Sequence, residues 1–174
     1  MFDKEYSFRG SHADKVIKLT AGFGKDNFKL FARNLDVYLV APIVGFLYGS
    51  TAELDKSDST TKIFPEQLLK AYQDLMFQYR LILLLDKSYE GKLDERIDKA
   101  FRHYGSERAL QDEQLYERYV LGGVDILYEK LIATANNEDD YLKNLYDFIE
   151  EFDDRYNKLV STDNILDLCR LARS

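Results

Sequence analysis

"DVYLVAPIVGFLYG", Asp36 to Gly49, is the most apolar passage of the chain and carries a proline in its middle. Its conformation decides the fold. Val37, Val40, Ile43 and Val44 favour a strand, and an unbroken apolar run suits a strand buried on both faces. Pro42 opposes that reading, since a central strand uses its backbone N–H groups, and the run exceeds a strand of about five or six residues. No other segment offers itself as a partner strand. The stretch therefore reads as a buried helix, kinked or restarted at Pro42, whose ring removes the hydrogen bond to the Tyr38 carbonyl. It is too short for the roughly twenty residues of a membrane span.

Gly45 and Gly49 are expected to let this helix approach a second apolar segment closely. That segment is "LILLL", Leu81 to Leu85, at the end of "PEQLLKAYQDLMFQYRLILLLDKS". Pro65 suits the first position of a helix, and Glu66 follows near its positive end. Leu68, Leu69, Tyr72, Leu75, Met76, Tyr79, Ile82 and Leu83 then recur at three- and four-residue spacing. The last turn is apolar all round and should be buried on every side.

Shorter signals surround this pair. Ser11 with Asp14 reads as a capping-box-like start for a helix bearing Val16, Ile17 and Leu19, closed by Gly22 or Gly24. A second short helix is expected to hold Phe28, Leu30, Phe31 and Leu35. Tyr6 and Phe8 alternate and could pack an N-terminal arm across the bundle. Residues 50–62, "STAELDKSDSTTK", form the one obvious polar loop.

Further on, Leu93, Ile97, Ala100, Phe101 and Tyr104 share one side of a helix ending at Gly105. Ser106 caps the next, through Leu110, Leu115, Tyr119 and Val120, and Gly122-Gly123 predicts a break or a close helix contact. Tyr141, Leu145, Phe148, Phe152, Tyr156 and Leu159 step by three or four residues as a regular apolar stripe. A last short helix holds Ile165, Leu166, Leu168 and Leu171. The expectation is one all-α domain over residues 1–174, a bundle of six to eight helices around residues 35–48 and 68–85.

Composition agrees with a globular chain. Of 174 residues, 45% are hydrophobic and 32% charged with only two prolines, while thirteen Tyr, eleven Phe and no Trp imply a ring-packed interior. The N-terminus "MFDKEYSFRGSHADK" has no apolar signal core, so the sequence reads as cytoplasmic, without a membrane segment. Cys169, the lone cysteine between Leu168 and Leu171, reads as a small buried hydrophobe.

Charge is uneven. Residues 1–87 hold twelve Lys and Arg against eleven Asp and Glu, whereas residues 88–174 hold twelve against twenty. Between Asp139 and Asp154 lie seven carboxylates with only Lys143 to offset them, and Asp140, Asp147, Glu151 and Asp154 are the candidate contacts to a basic protein partner. In the N-terminal region Lys15, Lys18, Lys29 and Arg33, interleaved with phenylalanines, are the candidate contacts to nucleic acid, with a solvated helix surface as the simpler reading.

No catalytic, cofactor or metal residue is nominated. His12 and His103 have no adjacent thiolate, no Glu-x-x-His pair exists, and neither "AGFGKDN" nor Gly122-Gly123 has the spacing of a phosphate loop. His103 reads as sitting near a helix C-terminus, where a cationic histidine is favoured.

"RNLDVYLVAPIVGFLYGS", residues 33–50, resembles a stretch of small accessory proteins associated with bacterial DNA phosphorothioation and related defence clusters. There an aspartate-led apolar run follows an aromatic and ends in a glycine and a small or basic residue. The resemblance implies a role beside DNA-modifying machinery and supplies no active site. The expected function is a non-catalytic helical accessory or protein-interaction subunit of a bacterial complex. The alternatives are a nucleic-acid-associated accessory protein of a DNA-modification or defence system, and an enzyme with a dispersed carboxylate site.

Overall fold

The computed structural model describes residues 1–156 and 169–173. In chain order come β1 (Tyr6–Arg9), α1 (Gly10–Leu19), β2 (Gly22–Phe23), β3 (Phe28–Lys29), α2 (Asn34–Tyr48) and β4 (Thr60–Ile63). They are followed by α3 (Pro65–Lys70), α4 (Tyr72–Leu85), α5 (Leu93–Asp98), α6 (Leu110–Leu131) and α7 (Glu138–Tyr156). A π turn, Lys99–His103, extends α5, a 3-10 turn, Glu107–Ala109, leads into α6, and residues 169–173 are again helical. The protein is 65% helical, a single domain with few short strands.

The decisive stretch is a helix, and it runs unbroken through Pro42. Its start is fixed by Asp36, whose carboxylate accepts the backbone N–H of Arg33 at 2.9 Å. Leu35, Val37, Tyr38, Ala41 and Val44 are buried. The helix that packs most extensively against it is α6, where the "LILLL" turn of α4 had been expected. The glycines explain the choice. A Cβ on Gly45 would strike the carbonyl oxygen of Tyr119, and one on Gly123 would strike that of Ala41. Without those Cβ atoms the two backbones meet. Gly122-Gly123 therefore marks a close helix contact, and α6 continues through it. Gly49 packs against nothing; with φ +63 it is the left-handed cap that ends α2.

The "LILLL" turn is core on one side, with Ile82, Leu83 and Leu84 at most 1% exposed, whereas Leu81 and Leu85 are half-buried and not enclosed on every side as expected. The expected long helix over 65–88 is divided at Ala71 into α3 and α4. Pro65 does open α3, helped by Gln67, whose side chain accepts the Phe64 N–H at 3.1 Å.

Near the N-terminus three expectations change. The start of α1 is not closed by Ser11 and Asp14. The Ser11 N–H instead donates to Asp55 from the polar loop at 2.8 Å, while Asp14 accepts the Ser59 hydroxyl at 2.6 Å. Gly10, at φ +54, turns the chain into α1 and leaves room for the Asp55 carboxylate. The helix ends at Leu19, before either glycine proposed to close it. The expected second helix is also absent: "GFGKDNFK" is the hairpin β2–β3, with Asn27 at φ +51 and the rings of Phe23 and Phe28 5.1 Å apart across it. Leu35 belongs to α2.

β1 pairs antiparallel with β4, Tyr6 opposite Ile63 and Arg9 opposite Thr60, so the polar loop ends in a strand. This pairing draws the N-terminal arm over the bundle. Tyr6 and Phe8 pack on Tyr38 at 4.5 and 6.0 Å between centroids, and buried Phe2 packs against Tyr38, Tyr79, Tyr104 and Tyr116. Leu159, Ile165, Leu166 and Leu168 lie outside the described residues.

Candidate functional site

The α7 stripe folds as its spacing predicts, but no residue of it is fully buried. The helix lies on the ends of α2 and α6 through a short set of contacts. Phe148 stacks on Tyr48 at 6.4 Å, the Tyr156 hydroxyl donates to the Leu47 carbonyl at 2.6 Å, and Tyr141 meets Phe23 at 4.3 Å. Glu151 is the polar centre of this seam. It accepts Lys130 Nζ at 2.7 Å and the Tyr48 hydroxyl at 3.1 Å. The Lys130 bond holds the Glu151 carboxyl below its ordinary value despite the opposing effect of burial, with a further contribution from Tyr48. Burial first, then Glu151, pushes Tyr48 up to about 12.

Glu151, with a side chain 38% exposed, thus ties α7 to α2 and α6. Asp140 is likewise engaged at the start of α7, accepting the Asn136 N–H at 2.9 Å and the Asn137 side chain at 3.0 Å. Asp147 and Asp154 are exposed. Successive residues on a helix turn by about 100°, which places Asp147, Glu150 and Asp154 together on the side away from the packed stripe.

Between these two sides runs a second apolar row that the sequence carries at positions 142, 146 and 149. Leu142, Tyr146 and Ile149 are 47%, 65% and 58% exposed. The row reaches, through Ile149, an open groove of about 450 Å³ between α2 and α7, lined also by Leu39, Val40, Ile43, Phe148 and Phe152. Asp153 stands at its edge. The groove and the row form one apolar strip backed by the acidic side of α7. Only the inner stripe had been singled out in the sequence, because its regularity masked the weaker row beside it.

The N-terminal cations are mostly turned to internal use. Lys15 Nζ lies 2.7 Å from Asp125, Lys18 donates to the Tyr128 hydroxyl at 3.3 Å and sits over its ring, and Arg33 pairs with Asp36 at 2.7 Å. Lys29 is exposed on β3. His12 is buried between α1 and α6, with Nε2 3.2 Å from Asp125 but not aligned as a hydrogen bond. Burial would raise the Asp125 carboxyl, yet His12 and Lys15 hold it below its usual value. His103 closes the π turn, half-buried.

Among the described residues two carboxylates are buried. Asp86 accepts the Tyr119 hydroxyl at 2.7 Å and the Ser88 hydroxyl at 2.6 Å; burial pushes it up, and these bonds with the Ser88 and Tyr89 N–H groups outweigh that and lower it. Asp112 accepts the Tyr89 hydroxyl at 2.7 Å and lies 3.3 Å from Lys99. Arg96, also buried, donates to the Leu84 carbonyl at 2.6 Å. These groups tie the end of α4 to α5 and α6. Among the described residues no three His, Cys, Asp or Glu side chains converge as a metal site, and no helix is long and apolar enough to cross a membrane. Cys169 is a half-buried free thiol.

Leu35, Val37, Tyr38, Ala41 and Val44 of α2 are committed to the core, while its Val40 edge opens on the groove. Comparison with known protein families, curated proteins and solved structures finds no match.

Proposed function

We propose that the protein is a non-catalytic helical interaction subunit, and that the strip formed by α2 and α7 receives an amphipathic helix of a basic protein partner. The observation that carries this reading is the exposed row Leu142, Tyr146 and Ile149, continuous with the α2–α7 groove. A contiguous apolar surface rimmed by polar groups is the usual mark of an interface. Grooves between helices accept the apolar face of a partner helix through residues at three- and four-residue spacing. The carboxylates of Asp147, Glu150 and Asp154 flank the strip and would meet lysines or arginines on the polar side of that partner, which steers association more than it adds affinity. The resemblance of residues 33–50 directs the search for the partner to the products of DNA phosphorothioation and defence clusters.

The test begins with a partner recovered from the native host and purified. In titrations with it, Ile149→Asp and Tyr146→Asp should each weaken binding by about tenfold or more, as substitutions at interface centres do, with the helical content unchanged. Asp147→Lys combined with Asp154→Lys should slow association at low salt. Affinity unmoved by all four substitutions would remove the strip as the interface. Concentration-dependent self-association lost in Ile149→Asp would instead give the strip to a second copy of the chain.

A further inference from the structure

A second cleft, sharing no residue with the α2–α7 groove, opens where the helical stretch 169–173 docks on α4. It encloses about 510 Å³ and is bordered by Tyr72, Asp74, Phe77, Arg80 and Arg173. Ala172, 1% exposed, anchors the stretch. The two arginines are held in a particular way. Arg80 lies over the ring of Phe101 at 4.8 Å, and Arg173 lies over the ring of Phe77 at 5.1 Å. Stacking on a ring fixes the plane of a guanidinium and leaves its in-plane N–H groups available to other acceptors. Among the described residues neither arginine is within ion-pair distance of a carboxylate, and the Arg80 Nε is buried without a hydrogen-bond partner. A buried donor left unpaired is costly and calls for an explanation.

We infer that this cleft binds a small aromatic oxyanion, with Arg80 and Arg173 holding the phosphate or carboxylate and the ring lying against Tyr72. Planar guanidinium forks match the geometry of both oxyanions. Tyr72 is 38% exposed and lines the cleft, so it offers its ring at the wall. Asp74, exposed at the mouth, offsets one of the two positive charges and disfavours ligands of high negative charge. The volume falls within the roughly 300–1,000 Å³ of small-molecule sites, enough for a nucleoside monophosphate or an aromatic acid. An occupant would fasten residues 169–173 to α4.

The inference is tested by isothermal titration of the full chain with AMP, adenosine, benzoate and benzyl alcohol. At least one of the two oxyanions should bind with a dissociation constant below about 1 mM, and its uncharged counterpart should not. AMP alone identifies the phosphate as the recognised group, and benzoate alone the carboxylate. Arg80→Gln and Arg173→Gln should each weaken that binding by about tenfold or more, whereas Lys143→Gln on α7 should leave it unchanged. If Arg80→Gln fails to fold, Arg173→Gln at the end of the chain carries the test by itself. Absence of binding by both oxyanions, equal binding of the uncharged compounds, or binding indifferent to the arginines would overturn it.

Discussion

Gly45 and Gly123 tolerate little change, because each faces a backbone carbonyl that cannot swing aside. Alanine normally improves a helix by about 1 kcal/mol over glycine. Here that gain is outweighed, and Gly45→Ala and Gly123→Ala should each destabilise by about 1–3 kcal/mol, the cost of overpacking, read as a lower denaturant midpoint. An increase in midpoint would show that α2 and α6 are not in backbone contact. Asp86 makes a different kind of demand. Its carboxyl is held below the ordinary 3.8 in the folded chain, so its contribution is fully present above that value and is lost as pH falls through the lower folded value. Asp86→Asn should therefore lower stability near neutral pH and flatten the loss of stability on acidification, as followed by urea midpoints across pH. Neither residue announces its role in the sequence. A glycine shows that something comes close without showing what, and Asp86 looks like any polar residue after an apolar run.

At the scale of elements, periodicity revealed which side of a helix is apolar but not which neighbour that side meets. The α7 stripe was legible because one side is apolar and the other acidic. In α2 the apolar residues go all round, so spacing gave no direction, and its pairing with α6 instead of α4 depended on glycines far apart in the chain. The cap of α1 was illegible for the same reason: Asp55 lies 44 residues from the Ser11 N–H it accepts. The acidic face divides along these lines. Reversing Asp147 to lysine should leave helical content unchanged and stability within about 0.5 kcal/mol of the parent, as for exposed positions. Glu151→Gln should loosen α7, because it removes the charge that Lys130 and Tyr48 both meet, and hydrogen exchange over 138–156 should accelerate relative to α6. Equal exchange rates would assign the attachment of α7 to its rings and to the Tyr156 and Asn144 hydrogen bonds. Lys15→Gln and Lys18→Gln should likewise register first as lost stability, since their ammonium groups are already occupied by Asp125 and Tyr128.

Across the whole molecule, the abundance of tyrosine has a consequence that reaches beyond any single contact. Tyr6, Tyr38, Tyr79 and Tyr116 gather with Phe2 and Phe8 where β1, α2, α4 and α6 converge, and Tyr38, Tyr79 and Tyr116 are at most 1% exposed. Burial pushes all four phenols above the ordinary 10.0, and the Tyr6 and Tyr79 hydroxyls have no hydrogen-bond partner to stabilise a phenolate. A raised folded value means that the neutral form is favoured by folding, so the contribution is complete below pH 10 and is withdrawn as pH rises toward the folded values. Because the four rings share one interior, ionising one opens the site to the rest. Phenolate absorbance during alkaline titration should thus rise gradually for the exposed tyrosines near the ordinary value. A steep second step should follow, at which helical circular dichroism is lost together with the absorbance change. Titration in guanidinium chloride should merge the two steps into one. A single gradual step in the native protein, with helix retained to its end, would mean that these rings are open to solvent and that the convergence of the N-terminal strand with α2, α4 and α6 is not the centre of the fold.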